Sequence, residues 1–262
     1  MTINRLSFIV ACLLMQAVLL SPLHAAVFDQ THQLWQQSLS KYVKEAEFSS
    51  SVDYAAWKKQ QQPLRDYLAS VSAVEKSAFE RWNRRQQLAF LINAYNAFTV
   101  QLILDNYPLD SIKDIGNFFR SAWKIEFFTL FGEERHLDYI EQDLIRGSDR
   151  YHEPRIHFAL VCASIGCPKL QKEAFTEHNL NRLLQLGATT FLADRSRNRY
   201  VADEDALYLS PIFKWYGEDF EKKFGSVTNY VLPIMTAGKV KPADQRVHFL
   251  DYDWRLNDIA RH

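Results

Sequence analysis

The run "LAFLINAYNAFTVQLI", residues 88–103, repeats apolar side chains every three or four residues, which is the spacing of an α-helix. Ser77 and Glu80 precede this run with the spacing of a capping box, in which each side chain bonds the other's backbone N–H. We therefore predict a central helix that begins at Ser77 and continues to Asn106.

The elements around this helix follow from the same kind of pattern. Amphipathic spacing predicts further helices. Short runs of strand-forming residues bounded by turn residues predict two hairpins and a last strand. The helices are expected over residues 29–46, from Pro63 onward, after a capping Asp138 and over 176–195. The hairpins are expected around Gly132 and over residues 198–211, where Ser210 and Pro211 start a helix, and the last strand lies in 248–257.

The segment "RIHFALVCA", residues 155–163, is a continuous apolar run with the length of a buried strand. Helices therefore dominate the first part of the chain and strands the later part. This order predicts an α+β fold in which N-terminal helices pack on a mostly antiparallel sheet. We find no repeat or linker, so residues 26–262 are expected to form a single domain.

The N-terminus has the pattern of an export signal. A cation in "MTINR" precedes the apolar run "LSFIVACLLMQAVLLSPL", and "HAA" offers small residues for cleavage. Residues 1–25 are thus interpreted as a signal peptide, and the protein is expected in the periplasm with no transmembrane span after its removal. Basic and acidic residues number 31 each, so no net charge favours a nucleic-acid partner.

Two cysteines, Cys162 and Cys167, remain after removal of the signal. Cys167 follows a tight turn and precedes Pro168, a residue suited to the first turn of a helix, where a thiolate is stabilised. His157 is the candidate proton acceptor, and Glu141 is the candidate group that orients its ring. Three alternatives remain open. The two cysteines can form a disulfide, His157 can be a hydrogen-bonded core residue, and Glu141 can form an ion pair with Arg146 or Arg155.

Three further polar residues are candidates for binding a substrate or an oxyanion. Asn93 and Asn96 lie three residues apart on one face of the central helix, and Ser164 lies between the cysteines. The two asparagines can equally well tie the helix to a neighbouring loop. The histidines and cysteines lack the spacing of a standard zinc motif, and no phosphate-binding or dinucleotide-binding glycine loop occurs, so no metal or cofactor is expected.

Several stretches together resemble the family of domain of unknown function 547. They are "VDYAAW", "LAFLINAYNAFTV", "HLDYIEQDLIR", "RIHFALVCASIGCPKL", "LSPIFKWYGEDF" and "LDYDWRLN". The resemblance covers residues 52–257 and implies membership, but the family name itself implies no activity. A papain-like architecture is a further analogy, with the histidine before the cysteine in the chain instead of after it.

These observations give two hypotheses. The first is an exported cysteine-dependent hydrolase or acyl transferase that acts on peptide-like amides through Cys167, His157 and Glu141. The second is a non-catalytic periplasmic binding or scaffold domain in which Cys162 and Cys167 form a disulfide. The two hypotheses differ in the state of Cys167.

Overall fold

The computed structural model describes residues 27–117 and 120–261. The signal peptide expected over residues 1–25 therefore lies outside the described residues. The described chain is α+β, with nine α-helices joined by short strands and irregular segments. The helices are α1 Gln33–Tyr42, α2 Tyr54–Lys59, α3 Gln62–Ser72, α4 Lys76–Arg81, α5 Arg84–Asn106, α6 Leu180–Ala193, α7 Ile212–Trp215, α8 Gly217–Phe224 and α9 Val227–Met235.

Helix α5 is the central helix, but it does not begin at Ser77. The helical conformation is interrupted between α4 and α5, where Trp82 and Asn83 have extended backbone. Asn83 caps α5 by accepting from the N–H of Gln86 at 3.0 Å, and the Gln86 side chain accepts from the N–H of Asn83 at 3.1 Å. The predicted capping box at Ser77 and Glu80 is therefore wrong, because a second box six residues later starts the long helix.

Helix α5 is also the one described helix long and apolar enough to cross a membrane. Of its most apolar window, 94% is buried inside the protein. It packs against α2, α3 and the π-helix at Tyr139–Arg146, and its buried apolar side chains belong to the larger of two hydrophobic clusters. These contacts agree with a core helix of a globular fold.

The strands form four small sheets among the described residues instead of one large sheet. Three are two-stranded antiparallel ribbons, and the fourth orders its strands β7-β8-β9, with β8 and β9 parallel. The strands are β1 Val43–Glu45, β2 Ser50–Val52, β3 Gly116–Asn117, β4 Arg120–Ser121, β5 Phe128–Leu130, β6 Glu133–Arg135, β7 Arg199–Val201, β8 Ala206–Leu209 and β9 Arg246–Phe249. The α+β class is confirmed, whereas the papain-like analogy is not.

The predicted strand at residues 155–163 is wrong. Pro154–Phe158 form a 3₁₀ helix, and the chain then runs irregularly through the two cysteines. The run is buried, so its backbone needs partners, and the Asn96 amide supplies them. Its Nδ2 donates to the Ala159 carbonyl at 2.8 Å, and its Oδ1 accepts from the Val161 N–H at 3.0 Å.

The helix expected to begin at Pro168 is also absent, since residues 168–179 contain no regular helix. Other expectations are confirmed. Both predicted hairpins form, with Gly132 in the first turn, and the helices expected in 29–46, after Pro63 and in 176–195 correspond to α1, α3 and α6. Residues Tyr139–Arg146 form a π-helix, which begins after Asp138 as predicted, although the Asp138 side chain makes no cap bond.

We predict that Asn83→Ala lowers the free energy of unfolding by about 1 kcal/mol, because it removes the side chain that caps α5. Ser77→Ala is the matched control, since Ser77 is exposed and caps no helix, and we expect a change within about 0.5 kcal/mol. Urea unfolding of the two variants measures both values. A larger loss for Ser77→Ala than for Asn83→Ala would contradict the cap assignment.

Candidate active site

A cavity of about 260 Å³ lies where the 3₁₀ helix, the π-helix, α7 and the C-terminal segment meet. His157, Cys162, Cys167 and Glu141 all line it. The three residues predicted to be catalytic are therefore brought to one cavity, although Glu141 is 16 positions before His157 and belongs to a different element. Most of the remaining wall is aromatic, namely Tyr95, Trp123, Trp215, Tyr216, Tyr252 and Trp254.

His157 is held in place from two sides. Its Nε2 lies 2.7 Å from Oδ2 of Asp219, which comes from α8. Its ring stacks on Tyr216, with the ring centroids 3.9 Å apart and the planes 17° from parallel. The imidazole is thus fixed in position and orientation, as a general base requires.

Arg146, from the end of the π-helix, holds Asp219 in turn. Its Nε lies 2.7 Å from Oδ2 of Asp219, and its Nη2 lies 3.1 Å from Oδ1. Burial opposes ionisation of Asp219, but the hydrogen bonds from His157 and Arg146 outweigh it and hold the pKa of this carboxyl well below its usual value. An ionised carboxylate only accepts hydrogen bonds, so the proton of the neutral imidazole is on Nε2 and Nδ1 is left as the acceptor.

Burial lowers the pKa of His157, and the hydrogen bond to Asp219 together with the charge of Glu141 offsets part of this effect. The ring is therefore neutral at pH 7 and able to accept a proton. Among the described residues, Nδ1 of His157 makes no hydrogen bond. The free nitrogen and the cavity together fit a base that awaits a substrate.

Cys162 and Cys167 are joined by a disulfide. The N–H of Cys162 donates to the sulfur of Cys167 at 3.0 Å, and the Tyr252 hydroxyl lies 3.2 Å from each sulfur. Since no helix begins at Pro168, this N–H and this hydroxyl are the donors beside the sulfur of Cys167, in place of the expected helix N-terminus.

Glu141 lies in the wall of the cavity with only 4% of its surface exposed. The alternative of an ion pair with Arg146 or Arg155 is wrong for the described residues, because Arg146 pairs with Asp219 and Arg155 pairs with Glu153. Instead the carboxylate of Glu141 is hydrogen-bonded by the hydroxyls of Tyr95 and Tyr216. Burial raises the pKa of Tyr95 and of Tyr216, and the nearby charge of Glu141 raises both further.

The predicted oxyanion residues lie beside the cavity and not in its wall. Asn93 bonds both backbone groups of Phe175, at 2.7 and 3.0 Å, and Asn96 bonds the backbone of residues 159 and 161. The Ser164 hydroxyl contacts the Cys162 carbonyl at 3.4 Å. The two amides thus hold loops in place, and a role of the three residues in substrate binding stays a prediction.

Sequence reasoning missed Asp219, which provides the described hydrogen bond to the His157 ring. It also missed Arg146 as the partner of Asp219, and Tyr252 as the group beside both sulfurs. A signal for all three was present, since Arg146 lies in "HLDYIEQDLIR", Asp219 in "LSPIFKWYGEDF" and Tyr252 in "LDYDWRLN". Each was a polar residue in a stretch already singled out, but no spacing rule links it to His157 or Cys167.

Among residues 27–117 and 120–261, no group of three or more histidine, cysteine, aspartate or glutamate side chains is arranged to hold a metal ion. The chemistry visible in this cavity is therefore that of an imidazole, two sulfurs, two carboxylates and several hydroxyls. Such a set can perform proton transfer and, when the sulfurs are reduced, nucleophilic attack.

Residues 79–192 match the family model described as "Protein of unknown function, DUF547". This match, which covers less than half of the chain, supports a DUF547 family protein. The matched range contains α5, Glu141, His157 and both cysteines, and it ends before Asp219. Searches of the curated proteins and of the solved structures found no match to the chain.

We predict that Asp219→Asn lowers the pKa of His157 further, because the variant removes the negative charge that favours the imidazolium form. The ring proton signals of His157 in an NMR pH titration measure this value. Glu218→Gln is the matched control, since Glu218 is exposed on the same helix and its described ion pair is with Lys222. An unchanged or raised His157 pKa in Asp219→Asn would contradict the assigned hydrogen bond.

Proposed function

We propose that the protein is an exported, cysteine-dependent hydrolase or acyl transferase that acts on peptide-like amides. The observation that supports this most is that Cys167 and a buried, neutral His157 share one cavity, with the ring oriented by Asp219 and Arg146. A nucleophile, a base and a group that orients the base are the parts that covalent acyl transfer needs. The proposed export to the periplasm depends on residues 1–25 alone.

The active form is the reduced form. A dithiol reductant exchanges with the Cys162–Cys167 disulfide, so that both sulfurs become thiols and the reductant becomes a disulfide. Cys167 is the nucleophile because the N–H of Cys162 and the hydroxyl of Tyr252 favour its thiolate. Nδ1 of His157 takes the thiol proton, while the Nε2–H bond to Asp219 stabilises the resulting imidazolium.

In the chemical step the Cys167 thiolate attacks the carbonyl carbon of the amide. The carbon–nitrogen bond breaks, and His157 returns its proton to the departing amine. Water or a second amine then attacks the thioester and loses its proton to His157, which releases the acyl group and restores the thiolate. Hydrolysis and transfer differ only in this second nucleophile.

The negative oxygen of the tetrahedral intermediate needs a donor. The backbone N–H groups of residues 165–167 all donate to carbonyl oxygens of the protein. The Tyr252 hydroxyl lies 3.2 Å from the sulfur of Cys167, which is close enough to donate to an oxygen on the attacked carbon. Tyr252 is therefore the residue to which this proposal assigns that role.

An acyl-transfer assay tests the proposal with an uncharged probe. We expect reduced protein to release p-nitrophenolate from p-nitrophenyl acetate, and to carry a transient acetyl group on Cys167 that mass spectrometry locates. His157→Gln lowers the rate by about 100-fold or more, because proton transfer is lost. Absorbance at 400 nm measures the release.

Two cysteine variants are the matched controls. Cys167→Ala loses the reaction, whereas Cys162→Ala keeps it and no longer needs a reductant, because the backbone N–H that bonds Cys167 remains. Equal rates for unmodified protein and Cys167→Ala, or acetylation of Cys162 instead, would contradict the proposal.

The disulfide favours a second candidate, a non-catalytic binding or scaffold domain in which the cysteine pair fixes the loop between residues 162 and 167. On this account the same assay shows no acetylated cysteine after reduction. Replacing either cysteine by alanine would then affect stability only, by about 2 kcal/mol for a loop this short. The two candidates therefore give opposite results with one set of variants.

A further inference from the structure

The open part of the cavity is walled by aromatic rings that come from three separate segments. Trp123 lies in a 3₁₀ helix at Ala122–Lys124, Trp215 ends α7, and Tyr252 and Trp254 lie in the C-terminal segment. The centroid of Trp254 lies 4.6 Å from that of Tyr252, 5.6 Å from that of Trp215 and 6.0 Å from that of Trp123. The four rings thus form one continuous aromatic wall, and Trp215 is 44% exposed.

The charged side chains in the cavity wall are both acidic. Asp138 and Glu141 line it, while no lysine or arginine of the described residues does. His157 is neutral at pH 7 because its burial lowers its pKa. Glu141 is buried and forms no ion pair with a described lysine, arginine or histidine, so its carboxylate has only the Tyr95 and Tyr216 hydroxyls as described side-chain partners.

The carboxylates of Asp138 and Glu141 also repel each other. Burial raises the pKa of Asp138, and repulsion from the charge of Glu141 raises it further. A cation placed between them would relieve this repulsion. Lys124 and His136 offset part of the rise in the Asp138 pKa, but neither lines the cavity. Arg146 bonds Asp219 and lies over Tyr216, and Lys113 lies over Trp254 without lining the cavity.

We propose that the cavity recognises an alkylammonium group, held by the faces of Trp215 and Trp254 and by the carboxylates of Glu141 and Asp138. Aromatic faces and unpaired carboxylates are the two kinds of group that bind organic cations, and here they line one cavity. The inference rests on the proposed function and names its substrate class, an amide that carries a primary or substituted ammonium group close to the reacting carbonyl.

The volume limits what fits. A cavity of about 260 Å³ is slightly smaller than the range of about 300–1,000 Å³ for small-ligand sites, so it holds one side chain or a small amine and not a folded segment. The amine end of the substrate therefore lies inside, near Glu141, and the exposed Trp215 lies where the rest of the molecule leaves the cavity.

A binding measurement on the oxidised protein tests the inference without any catalysis. The probes are butylammonium and 1-butanol, which have the same chain length and differ in charge. We expect butylammonium to quench the tryptophan fluorescence saturably, with a Kd at least about tenfold lower than that of 1-butanol. Glu141→Gln weakens butylammonium binding by about tenfold and leaves 1-butanol binding unchanged.

Glu134→Gln is the matched control, because Glu134 is exposed in β6 and does not line the cavity. Circular dichroism checks that the variants fold, and the comparison of the two probes on unmodified protein needs no variant. Equal Kd values for the two probes, no saturable binding of butylammonium, or an unchanged Kd in folded Glu141→Gln would each overturn the inference. Because p-nitrophenyl acetate carries no charge, failure here leaves the acyl-transfer result separate.

Discussion

The side-chain amide of Asn96 is the constraint on which the site depends. It sits on the buried central helix and bonds the carbonyl of residue 159 and the N–H of residue 161, so that a buried segment without a strand ladder still has partners for its backbone. Asn93, one turn earlier, does the same for Phe175. The helix thus holds two irregular segments on either side of the cysteines, in a place where a regular strand would direct alternate side chains to opposite faces.

The functional groups follow from this arrangement. The segment that Asn96 anchors, residues 159–161, follows the 3₁₀ helix that contains His157 and precedes the Cys162–Cys167 loop. His157 and both cysteines line one cavity. Ile156 and Phe158 belong to different hydrophobic clusters, so the packing of both clusters fixes the position of the histidine between them. Asp219 and Arg146 then fix the ring, which leaves a neutral imidazole with one free nitrogen in a mostly aromatic enclosure.

The sequence predicts those parts of this arrangement that local pattern determines. Helices α1, α3 and α6 and both hairpins follow from apolar spacing and turn residues, and the resemblance agrees with the family model that matches residues 79–192. The strand predicted at residues 155–163 is wrong because an apolar run indicates that a segment is buried but not which groups its backbone bonds. Asp219 lies 62 positions after His157, and no local rule relates residues at that separation. The candidate nucleophile and base could be named from the sequence, whereas the partner of the base required the fold.

The acidity of the Cys167 thiol tests the central claim most directly, namely that one cavity combines an activated sulfur with an oriented base. The measurement is the thiolate absorbance at 240 nm across pH 4–10 in Cys162→Ala and in Cys162→Ala with His157→Gln. Our account predicts an apparent pKa for Cys167 well below the free-thiol value of about 8.5, and a rise toward that value when His157 is replaced. An apparent pKa at or above 8.5 that does not respond to the loss of His157 would contradict it.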